Sequence, residues 1–186
     1  EYTITSLLIQ GGPIDIFGVG ERLITSKSDP VFGAVYKIAG VEKNGVWEPR
    51  IKISESVEKI TNPGFKKVYR VYNEKGRAIA DLLTLLEEVP DTTEPYRYID
   101  PEQPWRELYF ENCTFKEMKQ LIIKDGKLLV ELPTLDELRQ YVKDQLETEI
   151  WPEEQRFENP HRHYLDMSPG YYQMKMDLLN RIFRKK

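Results

Sequence analysis

A single cysteine, Cys113, is the only thiol in the chain, which excludes an internal disulfide and suits a reducing cytoplasm. There are only two histidines, His161 and His163. No apolar run approaches the roughly 20 residues that a membrane crossing needs, and no secretory leader pattern is visible. Positive charge is not in excess: the net charge is −4, so a nucleic acid is a poor partner. No Ser-His-Asp set, P-loop or dinucleotide fingerprint can be found, and neither can an internal repeat or a low-complexity tract.

What is there is ordinary for a soluble globular protein. The chain has 186 residues, 40% of them hydrophobic and 31% charged, enough for one large domain or two small ones. The first residue is Glu1 rather than Met, and Tyr2-Thr3-Ile4 leads straight into an apolar stretch. This start reads as that of a chain joined partway through a protein.

Ile4, Leu7 and Leu8 fall at helical spacing, and Gly11-Gly12-Pro13 stops the pattern. Ile14-Asp15-Ile16-Phe17 then reads as a short strand closed by Gly18-Val19-Gly20. Helix, short apolar strand and glycine loop form one α/β unit, after which the signals turn to β. Asn44-Gly45 predicts a hairpin, with Trp47 to Ile53 as its returning strand. A second hairpin pairs Lys66–Tyr72 with Arg77–Leu83 across Asn73-Glu74-Lys75-Gly76. The proline-rich stretch 89–104 reads as a connector, 106–123 as partly extended, and Asp125-Gly126 as a turn into Lys127–Leu132.

The last third is helical. Thr134 and Glu137 form a capping box ahead of an amphipathic stripe of Leu135, Leu138, Tyr141, Val142 and Leu146. Ser168-Pro169 supplies an N-cap and first-turn proline for a terminal helix, whose apolar face runs Tyr171, Met174, Leu178, Ile182. Arg181, Arg184, Lys185 and Lys186 sit at its C-terminal end, where cations suit the macrodipole. The fold class expected is an α+β fragment: the last helix–strand unit of an incomplete α/β barrel, then β hairpins and C-terminal helices. Its parts are residues 1–30, the end of the barrel with a glycine loop; 31–132, rich in hairpins; and 133–186, helical.

The best place for chemistry is Phe17-Gly18-Val19-Gly20, because glycines after a strand let backbone N–H groups approach an anion such as phosphate. The bland alternative is a tight turn without ligand. A metal at His161 and His163 would need further ligands at defined spacing; the plainer reading is an ordered connector whose imidazoles bond backbone. Nothing basic beside Cys113 suggests a reactive thiolate. Lys66-Lys67 and the basic C-terminus read as solvated surface, and the aromatic and Met residues of the last helix as core or interface.

Longer stretches carry more. EYTITSLLIQGGPIDIFGVG, ERLITSKSDPVFGAVYKI, RIKISESVEKITNPGFKKVYRVY, GRAIADLLTL, KDGKLLVELPTLDELRQY and ENPHRHYLDMSPGYYQMKMDLLN follow one another along nearly the whole chain. In that collinear order they resemble the end of the barrel and the C-terminal region of bacterial nicotinate phosphoribosyltransferases. The resemblance implies a cytoplasmic enzyme of NAD salvage. Its substrates would be nicotinate, 5-phosphoribosyl pyrophosphate and ATP, with Mg2+ assisting and ATP hydrolysed through a phosphorylated histidine. A homodimer is compatible with it; nucleic acid and membrane are not among the implied partners.

By the same resemblance Gly18, Val19, Gly20 and the N–H of Glu21 would hold the nucleotide's 5′-phosphate, while the catalytic groups would lie upstream of Glu1, leaving this chain inactive alone and without a metal site. The chain departs from the family at two places: Glu21 stands where the family usually has Thr, and Ala34 where it has Gly. The alternative from another class is a stand-alone binding or structural module that keeps the scaffold without activity.

Overall fold

The computed structural model describes residues 2–27, 30–31, 35–56, 59–156 and 158–184. Ala34, Lys185 and Lys186 lie outside the described residues. The chain divides into two units, Glu1–Tyr36 and Lys37–Lys186.

In the first unit, α1 (Tyr2–Ile9) ends as the glycines require. Gly11 takes φ +73°, its N–H donates to Leu8 O, and Gly12 N–H donates to Leu7 O, which satisfies two end carbonyls in a Schellman cap. Ile14–Phe17, expected as a strand, is not one: no ladder forms on it among the described residues. Its apolar composition is strand-like, but a strand exists only by pairing. The short helix α2 (Glu21–Ile24) follows the glycine loop directly.

The second unit opens with β1 (Gly40–Lys43) and β2 (Val46–Pro49), joined by Asn44 and Gly45 at φ +52° and +78°, the left-handed pair that a two-residue hairpin demands. The returning strand stops at Pro49, short of the expected Ile53, since proline ends its ladder donors. The centre is a four-stranded sheet of β3 (Lys66–Tyr72), β4 (Ala78–Leu85), β7 (Thr114–Glu117) and β10 (Leu165–Met167), in the order β10-β4-β3-β7. The expected hairpin β3–β4 forms, its return strand running Ala78–Leu85 rather than Arg77–Leu83 with an irregularity between Val71 and Tyr72, and β10, unforeseen, lies parallel to β4. Between them β5 (Tyr96–Tyr98), inside the stretch read as a connector, pairs with β6 (Leu108–Phe110), inside the stretch read as partly extended, and β8 (Ile123–Lys124) with β9 (Lys127–Leu128) makes a small hairpin, its return shorter than the expected Lys127–Leu132.

Strand alternation sorts the core into two faces. Tyr69, Val71, Ala80 and Leu82 meet Phe110, with Tyr98 stacked on Phe110 at 3.9 Å between ring centres. On the other face Leu83 and Met167 pack on Tyr171 of α4 (Pro169–Phe183). Ser168 caps that helix by accepting from Tyr171 N and donating to the Glu88 carboxylate, which also accepts from Leu85 N. The capping box of α3 (Leu135–Asp144) is present, Thr134 N donating to Glu137 Oε2 at 2.7 Å. The apolar stripe of α3 nevertheless stays exposed at Leu135, Leu138, Tyr141, Val142 and Leu146.

Tyr171 is fully buried, and its hydroxyl donates to Pro63 O at 2.7 Å, tying α4 to the loop before β3. Tyr171→Phe leaves that carbonyl without its partner, so unfolding free energy in a urea titration falls by about 1–2 kcal/mol with the slope unchanged.

Candidate functional site

The glycine loop is open. Gly18, Val19, Gly20 and Glu21 are all exposed, and none of their N–H groups donates to an acceptor among the described residues. The first bonds of α2 begin beyond them, with Leu23 N donating to Gly20 O at 3.0 Å. A Cβ built on Gly18 or Gly20 meets nothing within 4 Å, and neither residue has a left-handed φ. Packing within the chain therefore does not call for glycine at either place, while Gly20, at φ −104° and ψ −126°, has a backbone outside the α and β regions. Glu21 is the first residue of α2 and carries its carboxylate at the same end as these donors.

A second concentration of polar groups lies on β4 and the segment that returns to it. Arg70 and Asp81 face each other in the β3–β4 register and pair through two hydrogen bonds, of 3.0 and 3.2 Å. His163 reaches the same carboxylate: Nε2 is 3.5 Å from Asp81 Oδ1, while Nδ1 is 2.9 Å from Glu154 Oε1. His163 thus bonds carboxylates rather than the backbone that the sequence suggested, because β10 brings its loop onto the charged end of β4. Asp81 foremost, then Glu154, holds the His163 pKa above its ordinary value against the opposing effect of burial. Burial acts to raise Asp81, yet His163 and Arg70 together hold it below the usual carboxylate value. Next to this network Tyr72 donates to Glu149 at 2.6 Å, and Arg77 donates to Ile150 O at 2.8 Å.

Two cavities of about 400 and 570 Å³ adjoin this region and share Asp100, Gln103, Tyr164 and Asp166 in their walls. Asp166 is 5% exposed, and burial pushes its carboxyl up to about 7, with the charge of Asp100 acting in the same direction. Sequence reasoning passed over Asp166, since a lone Asp before Met-Ser-Pro carries no motif; a polar residue within an apolar triplet ahead of a helix cap was the only signal.

The remaining candidates are plain. His161 makes an edge contact with Tyr164, and burial raises the Cys113 thiol pKa, which disfavours thiolate. Lys66 is not the free surface cation expected: its ammonium donates to Asn62 O at 2.8 Å and is half-buried. Among the described residues no group of three or more His, Cys, Asp or Glu could hold a metal ion, and no helix is long and apolar enough to cross a membrane.

Comparison with known proteins bears on the whole chain. Residues 65–175 match the family described as nicotinate phosphoribosyltransferase C-terminal domain. The chain is similar to a nicotinate phosphoribosyltransferase of Bacillus subtilis, at 34% identity over 98% of this chain and 37% of that protein. A nicotinate phosphoribosyltransferase of Caenorhabditis elegans is 35% identical over 93% of this chain and 30% of its own length. The chain thus spans about a third of the length of these relatives. In fold it is similar to the crystal structure of human nicotinic acid phosphoribosyltransferase, with a TM-score of 0.61 and 22% identity over 72% of this chain and 26% of that one.

The charge on His163 gives the fold a pH signature. Its folded pKa is raised, so its contribution to stability is complete below the unfolded value of about 6.5 and is lost as pH climbs through the folded value. Asp166, whose folded pKa is also raised, gives a separate decline between about pH 4 and 7. In denaturant titrations across pH, His163→Gln should lose the decline that begins above pH 6.5 and keep the one from Asp166. Parallel curves for the two proteins above pH 6.5 would show that His163 carries no charge in the fold.

Proposed function

The chain belongs to the nicotinate phosphoribosyltransferase C-terminal domain family, and from that premise we propose that it forms the C-terminal part of an enzyme of NAD salvage that joins nicotinate to 5-phosphoribosyl pyrophosphate, giving nicotinate mononucleotide and pyrophosphate. In this reading residues 1–30 complete an α/β barrel, 31–132 supply the hairpin-rich scaffold, and 133–186 the helical end. The unpaired, strand-like Ile14–Phe17 then finds its ladder partners on the rest of the barrel. The enzyme works in the cytoplasm and its homodimer is the proposed assembly.

The observation that carries the site is the glycine loop. No neighbouring atom fills the space of a Cβ at 18 or 20, and a phosphate lying against the N–H groups of Gly18 to Glu21 needs that space clear, because a side chain at either glycine would crowd the anion. The loop positions the nucleotide's 5′-phosphate, and so fixes the ribose carbon where the base is exchanged; it takes no part in bond making. Coupling to ATP hydrolysis through a phosphorylated histidine belongs to groups elsewhere in the enzyme. His163 is unsuited to it, since both ring nitrogens face carboxylates that would repel a phosphoryl donor. The Mg2+ that assists the reaction is assigned, with ATP, to the full-length enzyme rather than to this chain alone.

Two outcomes follow. Incubated with nicotinate, 5-phosphoribosyl pyrophosphate, ATP and Mg2+, the purified chain alone forms no nicotinate mononucleotide, whereas the enzyme containing it does; product from the isolated chain, or none from the enzyme, would overturn the reading. In that enzyme Glu21→Thr removes a carboxylate beside the phosphate and adds a hydroxyl donor, so 5-phosphoribosyl pyrophosphate binds about fivefold more tightly at low salt. Equal dissociation constants in a calorimetric titration would place the Glu21 side chain away from the phosphate.

A further inference from the structure

Asp166 and Asp100 are set against each other by the backbone. Ile99 and Met167 form an antiparallel bridge, each N–H donating to the other's carbonyl at 2.8 and 2.9 Å. In that register the neighbours Asp100 and Asp166 occupy opposed positions on the same side of the ribbon, where like charges directly across are unfavourable. Met167 packs with Leu83 and Tyr171, so strand alternation turns Asp166 to the opposite face, into the cavity of about 570 Å³ that Ala80, Tyr98 and Phe110 also wall.

Asp166 has no side-chain hydrogen bond or ion pair among the described residues, although the residue is only 5% exposed. Its carboxylate oxygens are not among the buried side-chain atoms left without a partner, which among the described residues are Thr61 Oγ1 and His163 Nε2; they open onto the cavity, where a donor can reach them. Three of the nearby cations are committed elsewhere. His163 is held between Asp81 and Glu154, Arg162 pairs with Glu102 at 3.1 Å, and Lys175 donates to Asn62 Oδ1 at 2.8 Å. Arg106, at the cavity wall, has only a 3.5 Å contact with Gln103. The opposing pair thus presents paired negative charge beside the flat stack of Tyr98 and Phe110, whose planes lie 12° apart.

We propose that the cavity walled by Asp166, Asp100 and the Tyr98–Phe110 stack is a binding site for a planar guanidinium group, distinct from the phosphate loop. A guanidinium suits it better than an ammonium. Its fork can donate to both carboxylates at once, its planar face can lie on an aromatic ring, and it sheds water more readily. The cation removes the repulsion between the two aspartates and gives Asp166 the donors it lacks. The group can come from a free small molecule or from the arginine of a peptide; the chemistry is shared, and agmatine and the tripeptide Ala-Arg-Ala separate the two sources.

The test is calorimetric titration of the full chain with agmatine, Ala-Arg-Ala and putrescine, which matches the charge of agmatine, at low salt. Either guanidinium probe should bind, with putrescine at least about fivefold weaker than agmatine. Binding of agmatine alone identifies a free small molecule, and equal binding of the tripeptide identifies an arginine side chain. Asp166→Asn, close in shape and uncharged, should weaken binding about tenfold or more, while Glu111→Gln, another carboxylate at the same cavity, should change it less than about twofold. Affinity should also rise between pH 6 and 8 as Asp166 ionises. Discharge of His163 acts in the same direction, Tyr98, raised by burial, stays neutral, and Asp100, Glu111 and Arg106, which also wall the cavity, are common to both proteins, so the part of the rise due to Asp166 is the part missing from Asp166→Asn. Should neither guanidinium probe bind at 10 mM, or should Asp166→Asn and Glu111→Gln weaken binding equally, the site does not exist; a folded, active parent enzyme in the same experiment would leave the phosphoribosyltransferase reading untouched.

Discussion

Strand β4 is the element on which the described fold depends, because it is paired along both edges and buried on both faces. Antiparallel β3 lies on one side and parallel β10 on the other, so its backbone donors and acceptors are met within the sheet. Its side chains alternate between the aromatic cluster around Phe110 and the cluster under α4. Remove β10, and Leu83 loses Met167 as its neighbour while α4 loses the strand that delivers its N-cap. The short triplet Leu165–Met167 thus joins the C-terminal helix to a hairpin formed some 80 positions earlier in the chain, as the contact from Ser168 to Glu88 records.

The same strand divides greasy from charged. Arg70 and Asp81 sit opposite each other, both about four-fifths buried, and an unpaired charge in either place would be strongly unfavourable. His163 and Glu154 extend the pair into an alternation of acid and base, in which Asp81 raises the pKa of His163, and His163 with Arg70 outweighs the burial that acts to raise Asp81. Asp166, one face over on β10, stands outside that alternation. The contrast between charges paired with one another and a carboxyl a few residues away that opens onto a cavity is what distinguishes scaffold from candidate site in this part of the molecule.

The two units differ in how far they answer their own needs. The second has a core, capped helices and paired strands. In the first, α1 buries none of its residues, and Leu8, Ile9 and Ile16 are exposed. Leucine and isoleucine exposed in such number on a short helix and an unpaired segment fit a piece of a larger layer, which is how the barrel reading accounts for them. The apolar stripe on α3 has the same character within the second unit.

Local chemistry was written in the sequence. Asn44-Gly45 and Asp125-Gly126 fixed their hairpins through left-handed backbone that few other pairs adopt, and Thr134 with Glu137 and Ser168 with Pro169 fixed two helix starts through hydrogen bonds spanning three residues. The collinear stretches likewise carried the family without any coordinates. Tertiary structure alone decided what depends on distant partners. Ile14–Phe17 has strand composition and no strand, since a ladder needs a second chain segment, and Leu165–Met167 became a strand because β4 had a free edge to pair. His163 met carboxylates rather than backbone because that pairing carried its loop to Asp81. Asp166 gained its burial and its opposed neighbour from a bridge between segments 68 positions apart, Ile99 and Met167, which no local periodicity encodes.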